Sequence, residues 1–344
     1  MENKRNIQLD TIRIVAAFLV IVNHTVSLVF ESQSQPDAFW FVSVATFFFS
    51  KVAVPLFLMI SGYLLLNRID DWKYNLKRIL RIIIVLAICS FAYSSINNLY
   101  PLSNFSMSEI LKDALSFYNR QPSRALWYLY AYLGILVMLP FLQKLVLQMN
   151  RKDFHIFFLI SGIFISTLPV LKHYFEQISI EYHFAIPLFH SYIGYLFIGN
   201  YFRKFKLDYS RKNKTIMISI LLASVLFNTL ATYFEFIKNQ KDYLFFDNIT
   251  LIPIVIESIA LFYLIINTNV PAKLINITSY IASCTFGIYL IGDLVIRVLQ
   301  PVYEMSCEFI NCFVANILFQ IMSFSVGLII IIPIRKIPLF KKLL

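Results

Sequence analysis

The run LDTIRIVAAFLVIVNHTVSLVF, Leu9 to Phe30, has the length and apolar content of a membrane-crossing helix, yet Arg13 and His24 interrupt it. About 20 apolar residues suffice to cross roughly 30 Å of hydrocarbon. In that medium an ionisable side chain is costly unless it faces a pathway, a site or a partner. The two groups stand eleven residues apart; at 100° per residue that is three turns plus about 20°, so they share one face, roughly 16 Å apart along the axis. The helix is therefore expected to carry a polar line from Arg13, near one membrane boundary, to His24, about two thirds of the way across. Asn23 sits beside the histidine. The ordinary alternatives are that Arg13 snorkels to lipid headgroups and that His24 hydrogen-bonds a neighbouring helix.

The rest of the chain has the same character. Of its 344 residues 59% are hydrophobic and only 14% charged, with a mean hydropathy of +0.70, which excludes an ordinary soluble domain. Apolar runs of spanning length recur near 11–30, 41–66, 79–99, 126–147, 154–171, 185–202, 215–237, 248–267, 276–299 and 311–334. The expected fold is all-α: a polytopic membrane bundle of about ten helices, one domain over 1–344, with no appended soluble domain. The basic segment before the first run lacks a small-residue cleavage site, so that run reads as an uncleaved span. With the N-terminus inside, 21 of the 30 Lys and Arg lie in cytoplasmic segments or the span ends beside them and seven in outer loops or the span ends beside those, while Arg13 and Lys51 count as intramembrane. The positive-inside rule then puts both termini in the cytoplasm. The net charge of +11 reflects that orientation. No basic stripe with interleaved aromatics stands free of the membrane, so lipids and not nucleic acid are the expected partner. The oligomeric state is not legible.

Other polar residues interrupt the spans. KVAVPLFLMISGYLL, 51–65, combines Lys51, Pro55 and Ser61-Gly62, a pattern for a kinked helix with a close backbone approach. In NRIDDWKYNLKRILRI, 67–82, Lys77, Arg78 and Arg81 gather where the third span begins. Arg78 and Arg81, at i and i+3, are neighbours on a helix surface and read either as positive-inside charge or as an anion clamp. Glu257 in IPIVIESIALF and Asp293 are the other intramembrane acids; Asp293 can pair with Arg297 at i+4. His190, in IPLFHSYIGY, is a second histidine near an outer helix end. Trp127 and Tyr128 suit either a sugar-stacking platform or an interfacial aromatic belt. Cys89 and Cys284 lie within spans as inert thiols, whereas Cys307 and Cys312 flank EFIN in a loop where an oxidising compartment could bridge them. No Cys/His cluster has metal-ligand spacing, and no metal is expected.

Five of these stretches occur in an order that carries a family resemblance: LDTIRIVAAFLVIVNHT, VPLFLMISGYLL, the RILR of 78–81, LWYLYAYLGILVMLP at 126–140 and FGIYLI at 286–291. Together, over essentially the whole chain, they resemble the acyltransferase-3 family of bacterial membrane-bound acyltransferases. The resemblance implies about ten helices in the bacterial plasma membrane. It further implies transfer of an acetyl, sometimes succinyl, group from cytoplasmic acyl-CoA, chiefly acetyl-CoA, to hydroxyls of cell-surface or lipid-linked glycans. By the same resemblance His24 acts in acyl transfer with Arg13 supporting it, and Arg78 and Arg81, with Lys77, hold the donor. Ser61, Trp127, His190, Glu257 and Asp293 are then the candidates for substrate contact. One departure stands out: many relatives carry a His after the last motif, where this chain reads GIYLIGDLVIR with Asp293. The rival class is a transporter or flippase, which broken spans and intramembrane charge also fit, although no internal repeat supports it.

Overall fold

The computed structural model describes residues 6–31, 33, 35–99, 107–175, 177–178, 192–205, 207–239 and 244–344. The first helix, α1 (Ile7–Thr25), starts at Asn6, whose side-chain oxygen accepts hydrogen bonds from the Gln8 and Leu9 amides at 3.1 Å each. That cap satisfies backbone donors the helix cannot pair itself. A single further turn, α2 (Ser27–Phe30), ends the crossing. The second crossing is two helices, α3 (Ala38–Ser50) and α4 (Ala53–Leu65), which meet at Lys51 and Val52. Pro55 accounts for the break, because it offers no N–H to the carbonyl of Lys51 four residues before it.

The chain continues through α5 (Trp72–Leu99), a short α6 (Met107–Leu115) and α7 (Trp127–Gln148). Next come α8 (Arg151–Ser161), a π-helical turn over Gly162–Thr167 and α9 (Leu168–Tyr174), which together form one crossing. Then follow α10 (Ile193–Lys204), α11 (Arg211–Asn239), α12 (Ile252–Ile266), α13 (Ile275–Ser306), α14 (Cys312–Ile334) and the terminal α15 (Pro338–Leu343). Among the described residues no strand occurs, and nine helical segments are long and apolar enough to cross a membrane. The protein is an all-α polytopic membrane bundle. Of the expected sixth crossing, 185–202, the described part is α10; the residues before Tyr192, His190 among them, lie outside the described set.

Long-range polar contacts sort the helix ends. At the end where α1 begins, Gln8 donates to the Thr268 carbonyl at 3.3 Å and Arg81 to that of Leu343 at 2.9 Å. Lys204 donates there to the Met149 carbonyl at 2.6 Å. At the far end Asn316 donates to the Thr25 carbonyl at 2.8 Å, and Tyr174 to Glu235 at 2.8 Å. The first crossing thus begins, and the last finishes, at one end of the bundle.

Packing centres on α1, which touches α3, α4, α12, α13 and α14. Its Leu9, Ile12 and Ala16 join Leu56, Met59, Leu129, Leu136 and Phe197 in the largest apolar cluster. Helices α4 and α10 approach each other closely. A Cβ built on Gly62 would stand 1.9 Å from the Leu196 carbonyl oxygen, and one on Gly199 would stand 1.9 Å from that of Met59. Only glycine permits this approach, the small-residue device of membrane helix pairs.

Two helices outrun their expected bounds: α5 begins at Trp72 instead of near 79, and α13 runs to Ser306 instead of near 299. Hydropathy marks where an apolar run stops, whereas backbone hydrogen bonding carries the helix on through polar residues. The short α6 has no apolar run of spanning length and was not expected.

Candidate active site

Two cavities lie one after the other along the bundle, and α1 contributes to both. The cavity nearer the start of α1 has a volume of about 410 Å³; Arg13, Arg81, Arg335, Ser61, Tyr128 and Tyr132 are among its lining residues. Its three guanidiniums come from α1, from α5 and from the residue that caps α14. Arg13 is steadied by Asp10, fully buried one turn earlier, through a 2.7 Å contact. Arg81 donates through Nε to the Leu343 carbonyl, and Arg335 donates through Nη1 to the Ser283 hydroxyl. Three planar cations around one space are chemically suited to an anion, since guanidinium N–H groups can donate in pairs to phosphate oxygens.

Arg78 is engaged elsewhere. Its guanidinium bonds Asp70 at 2.5 Å and lies 4.7 Å from the Tyr74 ring, outside the cavity lining. Burial alone would raise the Asp70 carboxyl, but hydrogen bonds from Arg78 and Gln143 and the charges of Arg78 and Arg68 outweigh it and hold the group below the usual carboxylate range. Lys77 is exposed and lines neither cavity. Of the expected Arg78, Arg81 and Lys77 group, only Arg81 lines this cavity, where it stands with Arg13 and Arg335. Residues at i and i+3 point about 60° apart around a helix, enough for the two guanidiniums to meet different partners.

The second cavity, about 250 Å³, lies towards the far end; His24, Asn23, Ser50, Lys51, Trp127 and Asp247 are among its lining residues. Asn23 donates to the Ser50 hydroxyl at 2.9 Å, which itself donates to the Phe47 carbonyl at 2.6 Å. Lys51, 12% exposed, lies 3.5 Å from Asp247 and 4.1 Å from the Phe47 ring centre. Trp127 stands 5.4 Å from the Tyr192 ring, leaving an aromatic wall on this cavity. Asp293 and Lys51 are charged groups in the neighbourhood of the His24 imidazole. Asp293 does form its pair with Arg297, at 2.7 Å, and also accepts from the Ser123 hydroxyl at 2.8 Å.

The expected site residues thus divide. His24 and Trp127 line the far cavity, while Arg13, Arg81 and Ser61 line the near one. Glu257 lines neither; it is fully buried on α12, and its carboxyl oxygens have no hydrogen-bond partner among the described residues. Among the lining residues not expected as site residues are Asn23, Lys51, Asp247, Tyr289 and Arg335. Lys51 carried the strongest signal, a cation inside a span, but the adjacent proline explained it as part of a kink. Arg335 was indistinguishable from positive-inside charge. Cys307 and Cys312 are free thiols, and no group of three metal-ligating side chains occurs among the described residues.

A family model described as an acyltransferase domain matches residues 6–336. No curated protein and no solved structure matches the chain.

Proposed function

This chain belongs to the acyltransferase-3 family, and from that membership we propose that it transfers an acyl group, acetyl above all, from cytoplasmic acyl-CoA to a hydroxyl of a cell-surface or lipid-linked glycan. The observation that carries the reading is that one unbroken helix, α1, lends Arg13 to an arginine-rich cavity and His24 to a second cavity beyond it. A donor whose phosphates are held by Arg13, Arg81 and Arg335 would extend its flexible arm past Ser61 towards the far cavity. A sugar placed against Trp127 would present a hydroxyl to His24, with Lys51, Asn23 and Asp247 available for its other oxygens.

In this reaction the His24 imidazole, as neutral base, takes the proton of the attacking hydroxyl while its oxygen bonds to the thioester carbonyl carbon. When the tetrahedral intermediate collapses, the carbon–sulfur bond breaks and the imidazolium returns the proton to the thiolate, leaving ester and free CoA. Asp293, near the ring, would stabilise the imidazolium. Arg13, roughly 16 Å along the helix from His24, belongs to donor binding and not to proton transfer. The charge asymmetry between loops supports a cytoplasmic near end, and the family resemblance supports a bacterial plasma membrane.

The test uses purified protein in liposomes with labelled acetyl-CoA and a glycan acceptor. His24→Ala is expected to insert normally and to lose about 10² to 10⁴ in transfer rate. Near-normal transfer by that variant would remove His24 from the chemistry.

A further inference from the structure

Resting on the reading above, we propose that Tyr289 is the partition between donor and acceptor cavities, and that by closing the path until an acceptor is bound it selects a sugar hydroxyl over water. Tyr289 lines both cavities. It is 6% exposed, and its hydroxyl donates to the Ala125 carbonyl at 2.7 Å. Ala125 belongs to the far cavity alone. On the near side the ring meets that of Tyr128 edge-on, at 5.9 Å and 90°, and Tyr128 stacks on Tyr132 at 5.8 Å and 22°. The aromatic row thus runs from the arginine-rich cavity to its wall and ends at the residue shared with the His24 cavity.

A thioester exposed to water is lost by hydrolysis: water oxygen bonds to the carbonyl carbon, the carbon–sulfur bond breaks, and carboxylate, CoA thiol and a proton result. His24 would serve water as readily as a sugar, so a site open at both ends would waste its donor. Exclusion of water from a reactive group is a common use of a closing side chain. Here one hydrogen bond, to the Ala125 carbonyl, and the ring contact with Tyr128 hold the closing group, and both are given up when it is displaced. One turn further along α13, Gly292 leaves open space, with nothing within 4 Å of where a Cβ would stand. Space therefore exists on the same helix face, and opening gives up the edge-on contact with Tyr128.

Two measurements on the full-length protein in oriented liposomes separate this proposal from the reading it rests on. The first labels Ser61→Cys, in the near cavity, with a membrane-impermeant maleimide applied from the His24 side. No labelling is expected with Tyr289 present, and labelling is expected once Tyr289→Ala is added. The second follows CoA release from acetyl-CoA without acceptor. Tyr289→Ala is expected to raise it severalfold over the otherwise unmodified protein, with Tyr289→Leu, which keeps more of the packed volume, as the second variant should alanine not fold. Equal labelling with and without Tyr289 overturns the partition, whatever the turnover. Labelling as expected from a protein that never consumes acetyl-CoA would instead overturn the donor and leave the partition standing.

Discussion

Arg78 and Arg81 differ by three positions and by everything that matters to a donor phosphate. Arg81 faces a cavity with two other guanidiniums; Arg78 is bound to Asp70. Arg81→Lys keeps the charge and loses the planar fork, so acetyl-CoA affinity measured by calorimetry should fall by about 1 to 3 kcal/mol, the scale of charged hydrogen bonds, which is about tenfold or more. Arg78→Lys should leave that affinity nearly unchanged. Arg78→Ala should instead lower thermal stability at neutral pH, since it removes a partner of the ionised Asp70. Because the Asp70 carboxyl is held below its ordinary value, the contribution is complete above the unfolded-state value of about 4 and disappears as pH falls through the folded-state value. Melting curves of both proteins should therefore converge in acid. A stability gap that stayed constant down to low pH would detach Arg78 from Asp70.

At the scale of elements, the α4–α10 contact fixes how the kinked second crossing sits against the bundle. The two glycines of that contact face backbone carbonyls, which cannot swing aside as a side chain can. Gly62→Ala or Gly199→Ala must push the helices apart, and overpacking of this kind costs about 1 to 3 kcal/mol or more. Gly134→Ala is the comparison, because a Cβ there meets nothing within 4 Å. Thermal denaturation in detergent should show a clear loss for the first two and none for the third; equal behaviour of all three would mean that α4 and α10 do not approach as described. Since α4 carries Ser61 on one cavity and Ala53 on the other, the same substitutions should also depress activity in whatever fraction stays folded.

For the whole molecule, the arrangement predicts that residue 210 and residue 238 stand on opposite sides of the membrane. They lie at the two ends of α11, which runs from the near end, where Asn213 bonds Asp208, to the far end, where Glu235 meets Tyr174. With the near end cytoplasmic, an impermeant maleimide added to intact cells should label Lys238→Cys and spare Ser210→Cys. The reverse pattern would invert the topology and place the arginine-rich cavity where no cytoplasmic acyl-CoA could reach it. Orientation is thus the property of the entire chain on which the chemistry of the site depends.

The class of the fold was determined by the sequence itself, because hydrocarbon leaves an apolar chain few ways to satisfy its backbone, and runs near 20 residues long admit only helices. The sharing of one face by Arg13 and His24 was also local, since both lie on one helix and helical geometry alone relates them. Which groups meet them was decided only by the tertiary structure. Lys51 and Asp247 are nearly two hundred positions apart, and Arg13, Arg81 and Arg335 come from three separate elements. Arg81 and Arg335 look like charges at membrane boundaries, and helical periodicity carries no record of which neighbour a face will meet. Arg78 shows the same limit from the other side: a pair adjacent on a helix surface was divided by an acid in the preceding loop and a cavity between helices, both created by packing.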